Sequence, residues 1–198
     1  MRFAKTAATL AVLLSTLAAC GGDPPDDPQS AQPSSQSTTP SESPTGPAWE
    51  AKYNENELQA YRGALETFEA YETDSAPLWS NPKVTREAET VFKKYFYLWQ
   101  VEYARLKTYA ENEITSTGKP AVLNSKPTRI KYSRGASSVT ILQCIDTTDV
   151  RVFQHGEEAD RAPGAVDKHP RTITLSEVAR SEWKISAVKS DGKEPCAE

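Results

Sequence analysis

The chain has 198 residues, 37% of them hydrophobic and 25% charged, with 14 Pro, 3 Cys, 1 Met and a formal net charge of -4. That length accommodates one domain comfortably and two only if both are small. Setting aside Arg2 and Lys5 of residues 1–19 and Asp23, Asp26, Asp27 and Glu42 of residues 21–47 leaves 21 basic and 23 acidic residues after position 47. A near-neutral remainder without a clustered basic run argues against a nucleic-acid partner, because neutralising phosphates needs such a face.

Arg2 and Lys5 precede Ala7 to Ala19, a stretch of 13 almost wholly apolar or small residues. This is the form of an export signal, a charged start followed by a short apolar core. It is too short for a permanent membrane-spanning helix, which needs roughly 20 apolar residues. The stretch ends Leu17-Ala18-Ala19-Cys20-Gly21-Gly22 and there resembles a bacterial lipoprotein signal with its lipobox. The resemblance implies that residues 1–19 are removed and that Cys20 becomes a diacylglyceryl-bearing N-terminus on the outer face of the cytoplasmic membrane. Two acyl chains hold stably where one does not, each buried methylene contributing about 0.8 kcal/mol. The alternatives are an ordinary secretory peptide with a coincidental cysteine, or an uncleaved anchor.

Residues 20–47 read as the lipidated cysteine and a tether. From Gly21 to Pro47 there are 27 residues, of which 7 are Pro, 6 Ser and 3 Thr, and Ala31 is the only hydrophobic one. Such a segment cannot bury enough apolar surface to offset the entropy of ordering, so disorder is expected. Its ends would lie about 30 Å apart as a flexible coil and about 85 Å apart as a polyproline-like chain. It reads as a spacer that holds a domain off a membrane.

Residues 48–198 form the globular part, 151 residues long. After Asn54, a plausible N-cap, the apolar positions Leu58, Tyr61, Leu65 and Phe68 recur at three and four, which predicts a helix to about Tyr71. Asp74, Ser75, Pro77, Asn81 and Pro82 then interrupt, with Leu78 and Trp79 as an apolar plug. A second, longer helix follows Thr85, its apolar face carried by Ala88, Val91, Phe92, Tyr95, Leu98, Trp99, Leu106 and Tyr109 and widened by Tyr103. This aromatic stripe is either core packing or an exposed binding surface. Gly118 and Pro120 end the helical half.

After Pro127 the period becomes two. Ile130 and Tyr132, then Val139, Ile141 and Ile145, alternate with other side chains, and Asp146-Thr147-Thr148-Asp149 reads as a tight turn into Val150 to Phe153. A polar loop, then Thr172 to Val178 and Trp183 to Val188 joined near Ser181, complete an antiparallel meander. The expected class is α+β, two N-terminal helices packed on a curved antiparallel sheet of four or five strands. The long helix before Gly118-Lys119-Pro120, the pattern V-x-I-x-x-C-x-D from Val139 to Asp146, the strand opening Ser181-Glu182-Trp183-Lys184-Ile185-Ser186 and the final Pro195-Cys196 together resemble the cystatin-like or NTF2-like domains of small actinobacterial lipoproteins. That resemblance implies a fold more than an activity.

With Cys20 assigned to lipid, Cys144 and Cys196 remain as an even pair in an exported domain, and a disulfide between them is expected. It would contribute about 4 kcal/mol on the chain-entropy view. The competing role, Cys144 as a nucleophile, lacks a histidine that sequence would pair with it. Asp146 could serve as a base beside apolar walls, or could bond nearby amides as ordinary turn chemistry. In the loop Gln154 to Pro170, His155, Glu157, Glu158, Asp160, Asp167 and His169 could ligate a metal, although the two histidines are too far apart to share a helix face, and a solvated connection is the simpler reading. No motif implies a cofactor.

The leading expectation is a membrane-anchored, non-catalytic module that binds a small apolar ligand or an envelope protein, with Trp99, Tyr103, Asp146 and Trp183 as pocket candidates. A small isomerase or hydrolase of the NTF2-like kind, using Asp146 or a buried tyrosine, is the alternative. A structural surface protein with a closed aromatic core is the third. They differ on one point: whether the space between helix and sheet is open or filled.

Overall fold

The computed structural model describes residues 46–179 and 182–196, all within the unit Pro44–Glu198. The export signal, Cys20, the tether up to residue 45 and the turn expected near Ser181 lie outside the described residues. Asn54 caps the first helix, α1 (Glu55–Ser80), through a reciprocal box in which its side chain accepts from the Glu57 N–H and the Glu57 carboxylate accepts from its own. Just before it, Trp49 packs edge-on against Tyr61 and covers part of the core.

The expected end of α1 near Tyr71 is corrected: the helix continues nine residues further, through Pro77. Packing overrides the breakers. Trp79 lies against the Phe92 and Tyr109 rings and donates its indole N–H to the Tyr71 hydroxyl at 3.1 Å. Asp74 faces outward and accepts from Tyr95 and Lys94 of the next helix.

The second helix is likewise corrected. It breaks into α2 (Arg86–Tyr95), capped by Thr85, and α3 (Trp99–Glu111). Phe96 turns extended, buries its ring between Tyr71 and Phe92, and bridges in parallel to Ile185, whose carbonyl accepts the Tyr97 N–H. The single apolar face expected there does not hold: Leu98 is exposed, Tyr109 is at its margin and Tyr103 is half-buried.

The strands are β1 (Ile114–Thr117), β2 (Ala121–Lys131), β3 (Ser138–Asp146), β4 (Arg151–Gln154), β5 (Glu157–Glu158), β6 (Lys168–Ala179) and β7 (Glu182–Ser190). They form two antiparallel sheets, four-stranded in the order β2-β3-β6-β7 and three-stranded in the order β1-β4-β5. The class is α+β as expected, but one continuous sheet is not what forms. The Asp146 turn directs the chain away from the main sheet, and β4 pairs with β1 instead. Gly118 lets the β1–β2 connection pass over that turn: its φ is +79°, and a Cβ there would collide with the Asp149 carbonyl.

Between helices and main sheet the space is filled. Ala60, Ala64, Phe68 and Tyr71 of α1, with Phe92 and Leu106, meet Val139 and Ile141 of β3, Ile173 and Leu175 of β6, and Trp183 and Ile185 of β7 in one buried cluster. Cys144 and Asp146 point to the other face of β3, by alternation with buried Ile141 and Gln143. Among the described residues no helix is long and apolar enough to cross a membrane.

Candidate functional site

Cys144 and Cys196 are joined by a disulfide with Cα atoms 5.8 Å apart. The thiol of Cys144 is thereby unavailable as a nucleophile. The tail is stitched further by backbone bonds from Cys196 to the Lys168 carbonyl and from Val166 to the Gly192 carbonyl, so it lies along the start of β6.

Asp146 is engaged in its turn. Its Oδ1 accepts both the Thr148 hydroxyl and the Thr148 N–H, with Lys168 nearby at 3.7 Å. Those two bonds from Thr148, supported by Lys168, hold its carboxyl below the ordinary aspartate range. A general base working near neutral pH needs the opposite shift.

The loop histidines serve local structure. His155 meets Glu113 at 3.3 Å, while His169 meets the Val166 carbonyl at 3.1 Å. Arg161 pairs with Asp167 and donates to the Thr147 carbonyl, closing the loop over the Asp146 turn. Among the described residues no group of three or more His, Cys, Asp and Glu side chains converges as a metal site would require.

The four pocket candidates are not assembled at one place. Trp99 stacks edge-on with Tyr103 at 6.2 Å and carries the Lys93 ammonium over its ring, on α3. Asp146 is at the end of β3. Trp183 alone borders a sizeable concavity, an open groove of about 1050 Å³ between the N-terminal half of α1 and the ends of the β2–β3 and β6–β7 hairpins. Gly63 makes this placement possible: a Cβ there would stand 3.0 Å from the Trp183 indole nitrogen, so the helix approaches the ring closely only without one.

One wall of the groove carries Arg62 and Glu66, the other Tyr132, Arg134, Glu182 and Lys184. Arg62 pairs with Glu55 at 2.9 Å and Lys184 with Glu182 at 3.0 Å. Lys184 also donates to the Lys94 carbonyl at 2.6 Å, neutralising the C-terminal end of α2 and fixing that helix to β7. Arg62, Glu66 and Arg134 carry no periodic signal, being exposed positions and turn residues, whereas Tyr132 is marked by the period-two pattern it shares with Ile130. For Arg62 and Glu66 the one cue was the α1 face opposite its apolar stripe, which is charged, as solvated helix faces usually are.

A second, smaller depression of about 360 Å³ lies between β4 and the loop before β6, walled by Val150, Val152, Ala159, Ala162 and Val166 with His169 at its edge.

No protein-family model and no curated protein sequence matches this chain. Among solved structures, the intermembrane space region of the chloroplast protein ARC6 is similar, with 10% sequence identity and a TM-score of 0.46, over 66% of this chain and 95% of that one. A likeness of that degree carries no argument about function.

Proposed function

We propose that this chain is an exported lipoprotein, anchored through Cys20 to the outer face of the cytoplasmic membrane, whose domain is a non-catalytic module binding another envelope protein. The anchor rests on the lipobox Leu17-Ala18-Ala19-Cys20 and the charged start before it. The observation that carries the binding reading is the groove beside α1. It is open, bears both signs of charge and has Trp183 and Tyr132 on its walls with Arg62 and Arg134, and aromatic and Arg side chains are enriched where proteins meet. The filled layer between helices and sheet disfavours a buried small-molecule pocket there, and the lowered pKa of Asp146 disfavours that residue as the base of an isomerase or hydrolase. A long N-terminal helix packed on a four-stranded antiparallel sheet supports the cystatin-like or NTF2-like reading of the fold.

Two experiments test this. Mass analysis of the mature N-terminus should find a diacylglyceryl group on Cys20, and Cys20→Ala should release the protein from membranes. An unmodified N-terminus beyond Cys20 overturns the anchor. For the groove, a photo-crosslinking residue placed at Glu66 or Tyr132 in living cells should capture one discrete envelope protein, lost with Arg134→Glu. The same probe at Thr174, on the opposite face of the main sheet, should not. Equal capture from all three positions, or none, removes the groove from the proposal.

A further inference from the structure

The three most exposed large apolar side chains among the described residues, Tyr97 (66%), Leu98 (58%) and Val101 (55%), fall within five consecutive positions at the α2–α3 link. This link is firmly held. Phe96 is buried in the core, the Tyr97 N–H bonds to the Ile185 carbonyl at 3.1 Å, and the Val101 N–H bonds to the Leu98 carbonyl at 3.0 Å. Leu98 and Val101 therefore stand side by side on the first turn of α3, next to Tyr97. No Gly or Pro lies between Arg86 and Glu111 to force the break. The break thus buries Phe96 and at the same time presents an apolar tip.

The charges on the turns that flank the tip are matched. Lys93 pairs with Glu89, Lys94 with Asp74 and Arg105 with Glu102. What protrudes is an apolar turn in a neutralised surround.

We propose that Tyr97, Leu98 and Val101 form a lipid-contacting tip that rests in the interfacial layer of the bilayer to which the chain is anchored; this rests on the lipoprotein reading. Size decides between occupants. A stable protein complex buries about 800 Å² on each partner, and three side chains fall well short of that. A bilayer kept within reach by a tether of 27 residues, Gly21 to Pro47, is present at an effective concentration on the order of millimolar. A contact too weak to hold a diffusing partner suffices there. The chemistry also fits: a tyrosine hydroxyl can stay at headgroup level while Leu and Val enter the acyl boundary. Because the neighbouring cations are already paired, contact needs no anionic lipid and should not weaken with salt.

The test attaches the domain to lipid chemically, so that it does not depend on biological lipidation. The chain from Cys20 onward, with its disulfide intact, is coupled through the Cys20 thiol to a maleimide-headed lipid in phosphatidylcholine vesicles. A control chain is capped with N-ethylmaleimide and mixed with the same vesicles. Amide hydrogen exchange in the segment around 97–101 should slow by roughly threefold or more in the coupled protein relative to the capped one. Leu98→Ser with Val101→Ser, both at exposed positions, should abolish the slowing and leave exchange in β3 and β6 unchanged. Equal exchange in coupled and capped chains, or slowing that survives the double substitution, overturns the proposal. Failure of the anchor itself is read separately, from the mass of the mature N-terminus.

Discussion

Glu102 sits in the first turn of α3 with its side chain only 12% exposed, answered by Arg105 at 3.1 Å. Burial raises its carboxyl above the ordinary glutamate range, and the Arg105 charge pulls the other way without cancelling it. The folded protein therefore binds this proton more tightly than the unfolded chain does. Stability from this group is highest at acid pH and declines as pH rises through the folded pKa, because the buried carboxylate must then ionise. Glu102→Gln removes that cost while keeping the shape. We expect a melting temperature raised by roughly 2–4 °C at pH 7, with the gain shrinking toward pH 4, where both proteins carry a neutral side chain. Thermal melts of the two proteins across that range check it.

At the scale of elements, the disulfide ties the tail to β3, an interior strand of the main sheet, rather than to an edge. Because the β3–β6 and β6–β7 pairings stand without it, Cys144→Ala with Cys196→Ala should leave the fold intact. The cost should be about 2–4 kcal/mol, read from denaturant unfolding, together with fast amide exchange in residues 191–196. This pairing was legible from the cysteine count once Cys20 was set aside for lipid, and the Asn54 cap and the alternation through β3 were legible from residues close in sequence. The break at Phe96 was not. Its cause is the Ile185 edge of β7, far along the chain, and no local breaker marks it. The same holds for α1 beyond Tyr71, where contacts of Trp79 with Phe92 and Tyr109 outweigh Asp74, Ser75 and Pro77. Of the pocket candidates, Trp99 and Tyr103 stand on or at the start of α3 beyond the break at Phe96, and neither lines the groove that Trp183 borders. Of the groove, Trp183 and Tyr132 had a signal in the strand patterns, whereas Arg62, Glu66 and Arg134 look like any solvated surface until the hairpins are placed beside α1.

Over the whole molecule, two carboxylates oppose the slope set by Glu102. Asp74, which joins α1 to α2, is lowered chiefly by its bond from the Tyr95 hydroxyl and then by Lys94, and Asp146 is lowered by Thr148. Each contributes stability that is present above the unfolded pKa and is lost as pH falls through the folded one. Stability should thus drop below about pH 4, and Asp74→Asn with Asp146→Asn should flatten that acid limb in urea titrations.

A polar group within the otherwise apolar layer holds helix and sheet in register. Arg171 of β6 donates through Nε and Nη2 to the Gln143 side-chain oxygen of β3 at 3.1 and 2.6 Å, and through Nη1 to Glu72 of α1 at 2.6 Å, while its guanidinium stacks over Phe68. Three elements thus meet at one side chain, and every donor named has an acceptor. Truncating it has an asymmetric cost. Arg171→Leu leaves the Gln143 oxygen, on a residue 1% exposed, without its donors, whereas Glu72 can turn toward water. We expect a loss of about 3 kcal/mol. If the loss arises from the stranded amide, Arg171→Leu combined with Gln143→Leu should recover much of it, since replacing both partners with apolar groups is far less costly than orphaning one. If instead the double variant is as unstable as the single one, the Glu72 pair is what binds α1 to the sheet, and Glu72→Gln alone should then reproduce most of the loss.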